Sequence, residues 1–338
     1  MRAPDLEAQA HVIATQVPAA PGTTLDDTPR ILERQRSGRD KAFRGLLLAC
    51  AGVAVVLIVA ILLFLAQKAW PVLETNGLQF FTTSIWQPGA RGKFGILGDL
   101  LGTITVAVVA LIVAFPVSLA TALGVNEYAP GRLRRVLISL VDLLAAVPSI
   151  VFGLWGVLVF DGWLSGPTTW LTKYAAFFPL FRPAPGQVSR SLFVCGIVVG
   201  VMVIPIITAV SREVMAQTPR EQCEGALALG STKWGMIGNV ILPFARNGII
   251  GAALLGLGRA LGETMAVTLI LSITNVPTSH ILYAGGGTIP ALIVDWYNQV
   301  GPGRGLDALT LAGLTLFALT LVVNAIARLI VSRSARPT

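Results

Sequence analysis

Six long apolar segments constrain the fold of this chain more than any other feature. A helix that spans a bilayer needs about 20 apolar residues. Of the 338 residues, 54% are hydrophobic and only 12% are charged, which leaves too little polar surface for one large soluble domain. The sequence therefore predicts an all-α polytopic membrane protein with six transmembrane helices. The predicted spans are residues 44–66, 100–125, 136–160, 192–211, 247–273 and 306–331.

The six segments differ in composition. The first carries no proline or charge between residues 46 and 65, so we expect its helix to lie at the periphery against lipid. Three others contain Pro116, Pro148 or Pro205, which a membrane bundle tolerates because neighbouring helices re-satisfy the freed carbonyl groups. We expect a disordered cytoplasmic tail at residues 1–40, a peripheral helix at 41–70 and an external loop at 71–98. A five-helix core at 99–332 and a second cytoplasmic tail at 333–338 follow.

Lysine and arginine side chains outside these segments, counted together with Arg44 and Arg328 near the ends of the first and last segments, are unevenly distributed. The termini and the loops after the second and fourth segments hold 17 of them, whereas the three other loops hold 7. Positive residues collect on the cytoplasmic side of a membrane, so we expect both termini in the cytoplasm and the chain in the inner (plasma) membrane. The first segment starts more than 40 residues into the chain and is interpreted as a retained anchor. Because this distribution accounts for the net charge of +8, the charge does not indicate nucleic-acid binding, and no nucleic-acid partner is predicted.

A polar, glycine-containing stretch separates the fourth and fifth segments. It contains the triplet Glu224-Gly225-Ala226, then Gly230, and it ends in Pro243. Alanine favours helix, glycine permits a turn that a residue with a Cβ atom would strain, and proline is suited to a first helical turn. The pattern predicts a short helix, a turn at Gly230 and a second helix that begins near Pro243.

This stretch resembles the EAA loop of importer-type ABC permeases, in which a glutamate–small–alanine triplet is followed by glycine. Gly225 stands where that family usually has alanine. The resemblance implies that residues 218–243 form a cytoplasmic coupling loop that docks on an ATP-hydrolysing subunit. The positive-inside count places the same loop in the cytoplasm independently.

Charged residues also lie within the predicted spans. Arg259 and Glu263 fall near the middle of the fifth and Asp142 falls in the third. An arginine at mid-bilayer costs about 2.5–3.5 kcal/mol, and a four-residue separation places Arg259 and Glu263 on one helical face. Two interpretations stay open. The charges form a structural ion pair, or they line a path for an oxyanion, which a guanidinium group matches in geometry. The candidate path residues are Arg259, Glu263, Thr264 and Asp142.

Two further runs give a narrower resemblance. The run LPFARNGIIG at residues 242–251, continued by LGLGRALGETMAVT at 255–268, resembles the PstC family of phosphate ABC importer permeases. The segments AVPS at 146–149 and VFGLWG at 151–156 are similar to the third-span region of that family. The resemblance implies a type I ABC importer permease of MetI-like architecture. It also implies that Arg259 and Glu263 take part in transport.

The same resemblance implies partners. These are a second, PstA-like permease, two PstB-like ATPase subunits and an external, PstS-like phosphate-binding protein. The chain has no GxxxxGK[ST] pattern, so we expect ATP and Mg²⁺ to be bound by the ATPase and no cofactor by this chain. His11 and His280 are isolated, and the three cysteines form no recognisable framework, so no metal site is predicted.

Other functions are weighed against a phosphate permease. A molybdate or sulfate permease would also carry an EAA loop and move a tetrahedral oxyanion, and the sister permease PstA shares part of the pattern around Arg259. An intramembrane enzyme would need a nucleophile–base pair or metal ligands, but the chain has no HExxH or GxSxG pattern. A membrane scaffold would leave Arg259 unexplained. The sequence therefore favours a transporter subunit that is not itself an enzyme.

Overall fold

The computed structural model describes residues 38–87, 92–182, 188–271 and 280–334. Apart from two isolated β-bridges, the regular structure of these residues is helical. The α-helices are α1 Gly38–Asn76, α2 Gln79–Thr82, α3 Leu97–Leu123, α4 Gly131–Ala146, α5 Ser149–Trp155, α6 Asp161–Tyr174, α7 Leu192–Ala216, α8 Arg220–Ala228, α9 Lys233–Met236, α10 Leu242–Leu261, α11 Met265–Ile270, α12 Ile289–Tyr297 and α13 Arg304–Ser334.

Short π-helical turns join some of these helices into longer rods. The turns are Gly124–Tyr128, Gly156–Phe160 and Ile237–Ile241, and Pro179–Phe181 forms a 3₁₀ turn. The described residues then contain six helical stretches that are long and apolar enough to cross a membrane, which confirms the predicted number of spans. These stretches are Lys41–Asn76, Leu97–Tyr128, Ser149–Tyr174, Leu192–Ala216, Lys233–Leu261 and Arg304–Leu329.

The predicted start of the third span at residue 136 is wrong. The helix α4 ends at Ala146, and the spanning stretch begins only at Ser149. Pro148 explains the break, because its ring disfavours a helical conformation at the residue before it, and Val147 is extended with ψ 128°. Asp142 therefore lies on a separate, largely exposed helix before the span rather than inside it.

The predicted bounds of the fifth span, 247–273, are wrong at both ends. Pro243 is the second residue of α10, as expected of a helix-starting proline, but helical turns already begin at Lys233. Thr232 starts them, because its hydroxyl accepts a hydrogen bond from the backbone N–H of Gly235 at 3.1 Å. At the other end, α10 stops at Leu261 and a short break precedes α11.

Close packing of α3, α7 and α10 forms the centre of the bundle. A Cβ atom added at Gly200 of α7 would lie 3.0 Å from the carbonyl oxygen of Ala110, and one at Gly256 of α10 would lie 2.6 Å from Ile207 Cδ1. Small residues at these crossings let the helices approach closely, as membrane bundles require. The Ser118 hydroxyl adds a hydrogen bond across the α3–α7 contact, donating to the carbonyl of Ile204 at 3.0 Å.

A second apolar cluster joins the end of α1 to α12 and α13. It includes Phe80, Trp86, Ile289, Leu292 and Leu309, all buried. At nine residues, α12 is too short to span a bilayer. The backbone N–H of Ile289 donates to the Thr103 hydroxyl at 2.9 Å, which fixes the start of α12 against α3.

The described residues divide into two compact units, with the boundary between Leu57 and Ile58 of α1. Within α1, the side chains from residue 41 to residue 60 are exposed, as expected of a helix that faces lipid. The predicted disorder of residues 1–40 and the predicted tail 333–338 lie almost wholly outside the described residues, which begin at residue 38 and end at residue 334.

Candidate translocation face and coupling hairpin

The glycines of α10 have two kinds of surroundings. Cβ atoms added at Gly248 and Gly256 would meet side chains of α7 at less than 3.0 Å. Cβ atoms added at Gly251 and Gly258 would meet nothing within 4 Å. The first pair is explained by packing inside this chain. The second pair lies on a face that the described residues leave uncovered.

Arg259 lies on that uncovered face. Gly251, Leu255, Gly258, Arg259 and Gly262 repeat at helical spacing, and all but the half-buried Gly258 are exposed. Arg259 is in the last turn of α10 rather than in the middle of a continuous span, where a cation interacts favourably with the helix dipole. Arginines in spanning helices mostly face neighbouring helices or a water-filled cavity, so a partner subunit or a water-filled path beside this face fits an exposed Arg259.

Glu263 is positioned differently from the prediction. It lies beyond the end of α10, because Gly262 adopts φ −93° and ψ 1° and ends the helix. The Glu263 side chain is buried, and its Oε1 accepts a hydrogen bond from the backbone N–H of Ala266 at 3.3 Å, which caps α11. Both residues are described by the structure, and no ion pair joins Arg259 to Glu263. The shared helical face and the ion pair considered from sequence are therefore not formed.

The two other predicted path residues have different surroundings. Thr264 directly follows Glu263; its hydroxyl donates to the carbonyl of Gly262 at 3.2 Å and its own carbonyl accepts from the Thr268 N–H at 2.9 Å. Asp142 is exposed on α4. Arg259, Glu263 and Thr264 thus cluster at the break between α10 and α11, while Asp142 belongs to another element.

The predicted helix–turn–helix is present between the fourth and fifth spans. Its first helix, α8, contains Glu224, Gly225 and Ala226. Gly230 has φ 85°, a conformation that glycine adopts without strain. The backbone N–H of Gly230 donates to Leu227 O and that of Ser231 donates to Ala226 O, both at 3.0 Å. This pair of hydrogen bonds is a Schellman motif, which satisfies the carbonyls at the end of a helix.

We define the coupling hairpin as residues 218–243. Its inner side packs on the core, since Cys223 and Ala226 contact a buried cluster that includes Met215 and Ile237. The small side chain of Ala226 therefore allows α8 to pack on the core.

The outer side of the coupling hairpin is apolar and uncovered. Leu229 is 91% exposed and Trp234 is 68% exposed, and Glu224 and Gly225 are exposed as well. Leu229 and Trp234 were not predicted as site residues from the sequence. Large apolar residues next to the turn at Gly230 could have indicated them, because a turn exposes the side chains beside it. Exposed apolar side chains at a loop tip are typical of a protein–protein docking surface.

The hairpin is also tied to the end of the second span. The Lys233 ammonium group donates to the backbone carbonyl of Glu127 and lies 4.5 Å from the centroid of the Tyr128 ring, a cation–π distance. This contact joins the hairpin to the π turn Gly124–Tyr128.

Comparisons with known proteins give a consistent result. Residues 114–336 match the profile of the family described as binding-protein-dependent transport system inner membrane component. The phosphate transport system permease protein PstC 2 of Mycobacterium tuberculosis is 40% identical over 83% of this chain and 88% of its own length. The protein PstC of Xylella fastidiosa is 36% identical over 91% of this chain and 95% of its own length.

Two solved structures share the fold. A chain of a bacterial alginate ABC transporter, in complex with an alginate pentasaccharide-bound periplasmic protein, gives a TM-score of 0.60 at 16% identity and covers 88% of this chain and 96% of that one. A chain of the inward-facing MetNI methionine ABC transporter gives a TM-score of 0.53 at 15% identity, and the match covers 71% of this chain and 96% of that one. The expected MetI-like architecture is confirmed.

Proposed function

This chain belongs to the binding-protein-dependent transport system inner membrane component family, and we propose that it is the PstC-type permease subunit of an ATP-driven importer of inorganic phosphate. One observation carries the proposal: relatives named as PstC phosphate permeases are 36–41% identical to this chain over 79–91% of its length. Their name also favours a PstC-type over a PstA-type subunit. The chain is a transport subunit rather than an enzyme, and ATP hydrolysis belongs to a separate subunit.

The uncovered face of α10 is the proposed contribution to the phosphate path. Among the described residues, the Arg259 guanidinium has no acceptor, so its five N–H donors remain available to an oxyanion. Gly258 beside it leaves room for a tetrahedral anion, since a Cβ added there would meet no other described element within 4 Å. The second permease, PstA-like, is expected to close this face from the other side. Glu263 keeps α11 capped and thereby holds the end of the path in place.

The outer side of the coupling hairpin is the proposed ATPase contact. Leu229 and Trp234 offer apolar area, and Gly230 sets the angle between the two helices of the hairpin. The ATPase, a pair of PstB-like subunits, would bind ATP and Mg²⁺, and a PstS-like binding protein would deliver phosphate on the opposite side. Lys233 would then transmit movement of the ATPase to the second span.

Membrane topology tests this arrangement. Cys50, Cys195 and Cys223 are first replaced; Gly301→Cys and Ser231→Cys are then made singly and treated in intact cells with a membrane-impermeant thiol reagent. We expect labelling of the Gly301→Cys variant only, because the lysine and arginine count places the hairpin in the cytoplasm. Permeabilised cells, in which both variants should label, are the control. Labelling of Ser231→Cys from outside would place the hairpin beyond reach of any ATPase and overturn the proposal.

A further inference from the structure

A cleft of about 490 Å³ lies on the inner side of the coupling hairpin. Three separate elements contribute cationic side chains to it: Arg134 from α4, Arg220 from α8 and Lys233 from α9. Among the described lining residues, Glu127 is the single carboxylate. The lining therefore carries a net positive charge, although each element alone is unremarkable in sequence.

Hydrogen bonds hold two of the three cations in place, and none of the three is neutralised by an ion pair among the described residues. Arg134 donates to the Asn126 side-chain oxygen at 3.0 Å, and Asn126 in turn donates to the carbonyl of Arg212 at 2.8 Å. The Lys233 ammonium donates to the backbone carbonyl of Glu127. Arg220 is exposed. In the part of the chain that the structure describes, none of the three forms an ion pair with a carboxylate, so each retains donors for an anion.

The start of α8 adds neutral donors to the same cleft. This nine-residue helix has Pro219 as its N-cap and receives no side-chain cap, so the backbone N–H groups of Arg220 and Glu221 remain available, whereas that of Gln222 donates to the carbonyl of Pro219. Thr218, which also lines the cleft, is buried at 8% exposure, and its hydroxyl has no hydrogen-bond partner among the described residues. A helix N-terminus with adjacent cations is a favourable environment for an anion.

We propose that this cleft is a binding site for a phosphate group, supplied either as free inorganic phosphate or as the headgroup of an anionic lipid. Two arginines and a lysine from three elements match the charge and the number of oxygens of a phosphate. A bound phosphate bridges α4 and the coupling hairpin, and so restrains the hairpin against the bundle. The site does not depend on which anion the chain transports.

Cys223 provides a native reporter for occupancy. Its thiol lines the cleft and is half-buried. Partial burial, together with the carboxylates of Glu127 and Glu224, raises the pKa of the Cys223 thiol above its usual range. The thiolate is the reactive form. A bound phosphate adds negative charge and covers the sulfur, so it slows alkylation on both counts.

The test measures the alkylation rate of Cys223 by N-ethylmaleimide in the full-length chain, purified in its membrane complex, with Cys50 and Cys195 replaced. One arm uses phosphatidylcholine nanodiscs with inorganic phosphate, against chloride at equal ionic strength. The other uses nanodiscs containing phosphatidylglycerol without added phosphate. We expect several-fold slower alkylation in at least one arm, and the arm that responds identifies the source of the phosphate group.

Matched variants separate a site from general electrostatics. Arg220→Gln should abolish the protection and Arg220→Lys should keep most of it. Arg135→Gln, which removes the same charge from an exposed position of α4 outside the cleft, should leave it intact. No protection in either arm, or equal protection in Arg220→Gln and Arg135→Gln, would overturn the proposed site.

Discussion

Arg259→Gln is expected to lower phosphate uptake by about ten- to a hundredfold while leaving the amount of chain in the membrane unchanged. A hydrogen bond to a charged group contributes about 1.5–3 kcal/mol, and glutamine keeps donors but removes the charge. Abundance should persist because Arg259 is exposed on α10 and forms no ion pair with Glu263, whose carboxylate already accepts from the Ala266 N–H. Uptake of labelled phosphate, normalised to chain abundance, is the measurement.

Two controls make the Arg259 result specific. Arg135→Gln removes an arginine from the exposed surface of α4 and should transport normally. The double variant Arg259→Gln/Glu263→Gln tests the structural alternative, under which the single change lowers abundance and the double change restores both abundance and uptake. That recovery would rule out a role for Arg259 in the phosphate path.

Gly230→Val is expected to uncouple the permease from its ATPase. Gly230 has φ 85° and a Cβ atom there would meet nothing within 4 Å, so the cost comes from backbone conformation rather than from a clash. A left-handed conformation costs about 1–2 kcal/mol for a residue with a Cβ atom, and more for a β-branched one. The Schellman motif would open and the two helices of the hairpin would change their angle. Co-purification of the ATPase and uptake should both fall severalfold, with membrane insertion unchanged.

Gly225→Ala is the matched control within the same hairpin. It lies inside α8, where an added Cβ atom also meets nothing within 4 Å. Alanine favours helix over glycine by about 1 kcal/mol, so this variant should keep or improve ATPase binding. If Gly230→Val retained both ATPase and uptake, the hairpin would not be the coupling element.

Features that depend on local sequence were predictable. The six spans follow from apolar segments of sufficient length, and the hairpin follows from a helix-forming stretch and Gly230, since each is determined within a few residues. The boundaries were less predictable because apolar composition continues across breaks in the helix. The residues around Pro148 and Gly262 look like uninterrupted membrane segments, yet they separate α4 from α5 and α10 from α11.

Features that depend on several segments were not predictable. The expected Arg259–Glu263 contact assumed a continuous helix, and one break at Gly262 removed it. The uncovered face of α10 appears only when the positions of α3 and α7 are known. The cationic cleft brings together Arg134, Arg220 and Lys233 from positions almost 100 residues apart. In the sequence, each of these residues resembles any other positive charge of a cytoplasmic loop.

Reconstituted transport tests the central claim most directly. The chain is purified with its second permease and ATPase, placed in proteoliposomes with ATP on the ATPase side, and supplied with labelled phosphate and the binding protein on the other. We predict phosphate accumulation that requires ATP and binding protein and resists excess sulfate or molybdate. Accumulation of sulfate or molybdate in preference to phosphate, or phosphate movement that is independent of ATP, would contradict the assignment as a phosphate importer permease.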